Sequence, residues 1–425
     1  MILRVHPGTL RGQTVWAPPS KSIMQRVVAL ATLAEGTTMI RRPSESDDCT
    51  QALMMAAQLG ADIELGEDAL AIHGRFPLAP RTGTLTPGES GLGMHLFTTL
   101  AALHDQPLTI QREGTLVDRP TNSLSSALAP FGGELSDESD LVICGPLSGT
   151  DATLDAANTS QALTGLVIAL AHAQGDSVLT VRRVVSRPYV DMTLEVAEDM
   201  GIEVGMEELP EGLELTIPGG QRAKAMDVTI DGDWSAGAFL MVLGALCADH
   251  HLDVEGLLST YMQADERIKG AMLFAGCKLA GTDEGVRVFP GKAKAIHMDL
   301  TDCPDLFPPL ATLAAFAKGP STLKGIHRLV GKESNRALTI KSEWANVGIR
   351  VELDQAIDTM TIHPAPIQAG RIETHGDHRL AMAAALFGAA GAAVEIVGAE
   401  CVAKSYPAFF DDLESLGLMI HTVTT

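Results

Sequence analysis

The chain has 425 residues, of which 46% are hydrophobic, 20% charged and only 4% aromatic, and its formal net charge is −22. That length exceeds what one core fills, so two domains are expected, and the apolar content excludes a disordered chain. The acidic field excludes nucleic acid and anionic membranes as partners, yet small anions remain open wherever Lys and Arg cluster locally.

In chain order, MILRVHPGTLRG lacks the apolar core of a signal peptide. Residues 1–18 read as a leading strand that runs into the stiff Pro18-Pro19 pair. A polar cluster then opens an Ala/Leu-rich helix in PPSKSIMQRVVALATLAEG. The same design returns in GESGLGMHLFTTLAALHD, NTSQALTGLVIALAHAQG, GDWSAGAFLMVLGALCAD, CPDLFPPLATLAAFAKG and HGDHRLAMAAALFGAAG. Its starts fall near Ser20, Gly88, Thr159, Asp233, Asp305 and Gly376, a period of roughly 70 residues. Short strand-like runs follow, such as TTMIRR, PLTIQR and SVLTVRR. A second amphipathic segment, as in CTQALMMAAQLGADIEL, then ends in a glycine and an alternating strand. Each unit reads strand, helix, strand, helix, strand, strand.

Six units divide into three plus three. The expected domains are 1–18 joined with 234–425, and 19–233, with hinge-like crossings near 17–21 and 231–235. Glycines break the longest apolar runs, so buried helices are expected rather than membrane spans. The six cysteines (Cys49, Cys144, Cys247, Cys277, Cys303, Cys401) form no CxxC pair, which predicts buried free thiols and neither zinc nor disulfides. The expectation is a soluble cytoplasmic protein.

A helix start offers free N–H groups and a positive dipole end, and so attracts phosphate and carboxylate. Ser22, Ser90, Ser160, Ser235 and Asp377 are also ordinary N-cap types, which by itself explains each one. Capping does not explain the cations beside them. Lys21, Arg26, Lys332, Arg336, Arg379 and Lys404 sit in short polar signatures rather than on diffuse charged faces. The pattern predicts a site for a pair of anionic ligands.

The segments PPSKSIMQR, NTSQALTG, SRPYVDMTL, GKESNRAL, GDHRLAM and AKSYPAFFDDLESLG, in this order, resemble the EPSP synthase family of enolpyruvyl transferases. The resemblance implies an α/β fold of two domains, each of three βαβαββ repeats with helix N-termini facing the interdomain cleft. It implies transfer of the enolpyruvyl group of phosphoenolpyruvate to the 5-hydroxyl of shikimate 3-phosphate through a tetrahedral intermediate, with domain closure. No metal or cofactor is implied, and the partners are those two small molecules acting on a monomer. For shikimate 3-phosphate it implies Lys21, Ser22, Arg26, Thr159, Ser160, Gln161, Ser186, Tyr189, Asp305 and Lys332. For phosphoenolpyruvate it implies Lys21, Gly91, Gln161, Arg336, Arg379 and Lys404. Lys21, Asp305, Glu333 and His378 are implied in proton transfer, with Asp305 as the base for the 5-hydroxyl.

Plainer readings stand beside these. Asp305 is a potential helix cap, Glu333 and Arg336 an ordinary i,i+3 ion pair, Tyr189 a core anchor and His378 a structural histidine. The second repeat also departs from the family: GESGLGMHLF has Leu92 and His95 where a threonine and an arginine are usual, and the following loop has Thr115 in place of an arginine. Arg119 or Arg112 is expected to replace that arginine, with Arg119 favoured. These departures leave two alternatives, a UDP-N-acetylglucosamine enolpyruvyl transferase and a catalytically idle anion-binding relative. GESGLG does not fit the spacing of a dinucleotide fingerprint, which removes a dehydrogenase.

Overall fold

The computed structural model describes residues 1–137, 140–157 and 160–423. It divides into two compact units: Met1–Pro18 with Asp231–Ser259 and Gln263–Thr425, and Pro19–Ile230 with Thr260–Met262. Each unit holds three four-stranded sheets of one design. In the sheet Thr84–Gly88, Leu108–Arg112, Leu141–Cys144, Glu134–Asp137, the first pair is parallel and the other two are antiparallel. A parallel pair needs a crossover, and the helix Gly91–Ala101 supplies it. A hairpin then closes the sheet, completing strand, helix, strand, helix, strand, strand.

Two sheets borrow their first strand from elsewhere in the chain. Thr14–Trp16 runs parallel to Leu252–Glu255, while Asp227–Thr229 runs parallel to Thr37–Arg41. A third takes its final partner from the start of the chain, since Ile2–Val5 lies between Val394–Val397 and Ile420–Thr422. Residues 1–18 thus hold two strands in two sheets rather than the single strand expected, and both belong with the C-terminal half.

The boundary itself falls a little earlier than the repeat suggested. Gly232 N donates to Gly256 O at 2.6 Å and Asp233 N to Pro18 O at 2.7 Å, which ties Asp231–Asp233 to the discontinuous unit. Thr260–Met262 go the other way, because the Tyr261 hydroxyl donates to Asp199 at 2.8 Å and Met262 N to Glu195 at 2.6 Å.

In the Pro19–Ile230 unit the helix Lys21–Leu33 packs on Gly91–Ala101, which packs on Gln161–His172. In the other, Trp234–Cys247, Phe307–Ala315 and His378–Ala390 pack on one another. These helices are apolar nearly all round, as core helices must be. Ala and Gly keep them close: a Cβ on Gly165 would lie 2.9 Å from His95 O.

Their starts differ from expectation at three places, one of them Ser160, which takes the cap position of Gln161–His172 without a side-chain cap hydrogen bond among the described residues. Ser20 and Asp233, not Ser22 and Ser235, take the extended cap conformation and accept from Ile23 N and Ala236 N. Ser90 and Asp377 do cap, accepting from Gly93 N and Arg379 N. The six cysteines are free, but Cys144 and Cys401 are partly exposed rather than buried. Among the described residues, no helix is long and apolar enough to cross a membrane.

Candidate active site

In the Pro19–Ile230 unit, short hydrogen bonds bind the starts of the leading helices to one another. Lys21 opens its helix, and its Nζ donates to Asp48 at 2.9 Å. Asp48 O accepts from Gln25 Nε2 at 3.0 Å, and the same amide group donates to Ser90 Oγ at 2.9 Å. Gln25 is fully buried, so this amide fixes the first helix mouth against the second.

Arg26 is buried as well, at 1% exposure. Its guanidinium donates to Thr193 Oγ1 at 2.9 Å, Ser22 O at 2.7 Å and Tyr189 O at 3.1 Å. Burial pulls its pKa down to about 10, against a small opposing pull from Tyr189. It thereby locks the Lys21 helix to Arg187–Asp199. That second helix begins from Ser186, which holds a left-handed backbone (φ 54°, ψ 42°) although it is not glycine. Such strain persists only where the surroundings impose it, and it is common at binding sites.

Gly91, Arg119 and Gln161 meet in the same unit. A Cβ on Gly91 would lie 2.2 Å from Arg119 Nη1 and 3.8 Å from Gln161 Oε1. The absent side chain is what admits the guanidinium. Arg112 is committed elsewhere, donating to Asp137 at 2.7 Å with a side chain only 4% exposed. Ser160 lies buried just ahead of Gln161. Thr159 lies outside the described residues.

In the discontinuous unit the charges form one knot around Asp305. Arg336 Nη1 donates to Asp305 Oδ1 at 2.8 Å, Arg379 Nη2 to Asp305 Oδ2 at 3.0 Å, and Lys332 Nζ lies 3.5 Å from Oδ1. Asp305 sits in the 3-10 turn Pro304–Leu306 before its helix, so it does not act as a cap. Arg336 is wholly buried and also grips Glu333 at 2.7 Å and Asp377 at 2.9 Å and 3.2 Å. Asp377 in turn accepts from Ser334 Oγ at 3.2 Å and from Arg379 N at 3.0 Å. Lys404 Nζ donates to Gly376 O at 2.9 Å, and His378 is buried one residue beyond Asp377.

Burial opposes the charge on Asp305, but Arg379, Lys332 and Arg336 overcome it and hold the carboxyl far below the usual range. Burial likewise opposes the charge on Arg336, yet Asp377, Glu333 and Asp305 raise its pKa. Burial moves Lys332 down despite Asp305. Arg379 Nε has no hydrogen-bond partner among the described residues, which leaves one donor of a buried cation in reserve.

The sequence thus located Lys332, Glu333, Arg336, Arg379 and Asp305 in one cluster with Lys404 at its edge. It assigned Asp377 only a capping part and missed Asp48, Gln25 and Asp265. Asp265 is 3% exposed, accepts from Ser235 Oγ and lies within electrostatic reach of Asp305 and Arg379. The signal for Asp48 was present in ESDDC, an acidic pair opening the helix Asp47–Gln58.

The family model for EPSP synthase (3-phosphoshikimate 1-carboxyvinyltransferase) matches residues 6–413. A 3-phosphoshikimate 1-carboxyvinyltransferase of Methanoculleus marisnigri is 32% identical over 413 residues, covering 95% of this chain and 96% of its own. That of Aeropyrum pernix is 34% identical over 425 residues, covering 99% and 96%. Among solved structures, the EPSP synthase of Acinetobacter baumannii superposes with a TM-score of 0.80 at 23% identity, covering 99% of this chain and all of its own. The enolpyruvyl transferase NikO of Streptomyces tendae gives 0.77 at 18%, covering 99% and 98%.

Proposed function

The chain belongs to the EPSP synthase family, and from that membership we propose that it transfers the enolpyruvyl group of phosphoenolpyruvate to the 5-hydroxyl of shikimate 3-phosphate, releasing phosphate. The observation that carries the reading is the carboxylate of Asp305 held by Arg336, Arg379 and Lys332.

A carboxylate ringed by cations is a weak base, because the cations stabilise its charged form. The same cations are suited to phosphate and carboxylate. When an anionic substrate takes up part of their charge, Asp305 regains basicity and accepts the proton of the 5-hydroxyl. Substrate binding thereby switches on the base. The hydroxyl oxygen bonds to C2 of phosphoenolpyruvate while C3 gains a proton, giving the tetrahedral intermediate. Loss of that C3 proton and departure of phosphate restore the enol double bond. Lys21, Glu333 and His378 are the groups assigned to the C3 proton and the leaving oxygen.

Shikimate 3-phosphate is assigned to Lys21, Ser22, Ser160, Gln161, Ser186, Tyr189, Lys332 and Asp305. Arg26 supports that set from beneath, through Ser22 and Tyr189. Phosphoenolpyruvate is assigned to Lys21, Arg119 over Gly91, Gln161, Arg379 and Lys404. Arg336 organises Asp305, Glu333 and Asp377 so that the neighbouring cations keep their aim.

The test is phosphate release from phosphoenolpyruvate with and without shikimate 3-phosphate. Release that depends on shikimate 3-phosphate is expected. Release only with UDP-N-acetylglucosamine, or none with either acceptor, would overturn the assignment.

A further inference from the structure

Two carboxylates hold the loop that carries Arg119, between the strand Leu108–Arg112 and the helix Asn122–Leu128. Asp137 closes its base: one oxygen accepts from Arg112 Nη2 at 2.7 Å, just before the loop, and the other from Thr121 Oγ1, just after it. Glu89 holds the loop further out, where its Oε2 accepts from Thr115 N at 2.7 Å. Thr115 stands in the turn Gly114–Leu116, and the first N–H groups of such a turn have no partner within it. Gly114 makes the approach possible, since its φ is +51° and a Cβ there would lie 2.5 Å from Glu89 Oε2. The turn then runs directly into the cation: Val117 N donates to Gly114 O at 3.3 Å and Arg119 N to Leu116 O at 3.2 Å, with the Leu116 side chain buried.

Glu89 lies two residues before Gly91. The segment 88–91 therefore grips the turn at Thr115 and receives the guanidinium four residues later, where a Gly91 Cβ would lie 2.2 Å from Arg119 Nη1. A long cation on a loop samples many poses, and a turn fixed before the ligand arrives removes most of that cost. We propose that Glu89 is the positioning residue for Arg119: by clasping Thr115 N it sets the turn from which the guanidinium reaches its seat on Gly91, so that affinity for phosphoenolpyruvate depends on a carboxylate acting through the loop. This part for Glu89 rests on the function proposed above, in which Arg119 binds that substrate. A carboxylate so near an anion's seat opposes binding by its charge alone, and the hold on Thr115 is what offsets it. Asp137 keeps the base of the loop closed when Glu89 is removed, so the strands stay paired.

The experiment compares wild type with Glu89→Ala, Glu89→Gln, Glu89→Asp, Arg119→Ala and Glu89→Ala/Arg119→Ala. A hydrogen bond to a charged acceptor corresponds to roughly tenfold in binding, so Glu89→Ala is expected to raise the KM for phosphoenolpyruvate about 3- to 10-fold, with kcat and the KM for shikimate 3-phosphate within about twofold. Glutamine keeps an acceptor oxygen at the same reach and should stay within about twofold of wild type, whereas aspartate keeps the charge, falls a methylene short of Thr115 and should behave like alanine. In the Arg119→Ala background, Glu89→Ala should change the KM less than about twofold, because Glu89 acts only through Arg119. Hydrogen exchange at the Thr115 amide reads the clasp without turnover: it should speed at least about tenfold in Glu89→Ala and return to the wild-type rate in Glu89→Gln. Additive losses in the double variant, or a Thr115 amide indifferent to Glu89→Ala, would overturn the proposal. If Glu89→Ala does not fold, the contrast between aspartate and glutamine replaces it, and equal behaviour of those two would overturn the proposal. A wild type whose Thr115 amide is protected, and whose affinity for inorganic phosphate falls in Glu89→Asp but not in Glu89→Gln, upholds the part of Glu89 even where no product forms. That result would fail the proposed reaction alone.

Discussion

Lys21 holds its charge against Asp48, with the two side chains 15% and 13% exposed. Lys21→Met is expected to lower kcat by about 10²–10⁴, the usual range for a lost proton-transfer group. The melting temperature should move little, and a variant with full activity would remove Lys21 from the chemistry. Two other carboxyls give opposite signatures in pH. Burial, reinforced by Asp305, pushes Asp265 up to about 7. Its folded state binds the proton more tightly than the unfolded chain does, so its contribution is full below about pH 4 and lost as pH rises through 7. Asp265→Asn should therefore gain stability on wild type between pH 5 and pH 8, which melting curves at the two values would read. Asp305 is held low, so its contribution is present above the ordinary carboxylate range and drains away as acid is added below about pH 4. Asp305→Asn should flatten that acid limb.

The recurring elements were legible because their signals are local. Six polar clusters before Ala/Leu runs gave six leading helices, and the spacing gave the repeat. What escaped was non-local or subtle in conformation. Gln25 looks like any helix residue until its amide is found on Ser90, 65 positions away. The choice of Ser20 over Ser22, and of Asp233 over Ser235, depends on which residue turns extended. Arg26 is implied as a ligand group by the resemblance, while its bonds from one helix to another show only in the fold. Arg119 could be favoured over Arg112 from sequence, but only the fold shows Arg112 tied to Asp137. The start of the Gly91 helix also makes a prediction. Alanine favours a helix over glycine by about 1 kcal/mol, and the group that its methyl meets is the movable tip of Arg119. Gly91→Ala should keep or raise the melting temperature while raising the KM for phosphoenolpyruvate about tenfold or more, since one displaced contact is worth roughly 1.4 kcal/mol. A loss of stability with unchanged KM would contradict the placement of Arg119.

Across the whole chain, one unit is almost a continuous stretch, whereas the other is assembled from both ends and the second half. The strand Ile2–Val5 fills the gap between Val394–Val397 and Ile420–Thr422. Deleting the first eight residues would leave two strands without their shared partner. The expected result in limited proteolysis is rapid digestion of 231–425 with survival of a fragment near 19–230. Equal resistance of both would show that the strand is dispensable.

Arg4 pairs with His421, so the first and last described strands lie side by side. A circularly permuted gene, joined there by a short linker and opened between residues 230 and 231, would make the scattered unit contiguous. In the present order Ile2–Val5 is made long before its neighbours Val394–Val397 and Ile420–Thr422. Permutation would turn that interval into a hairpin-like closure, and contacts between nearby residues form faster than distant ones. The permuted protein should refold more quickly than its parent.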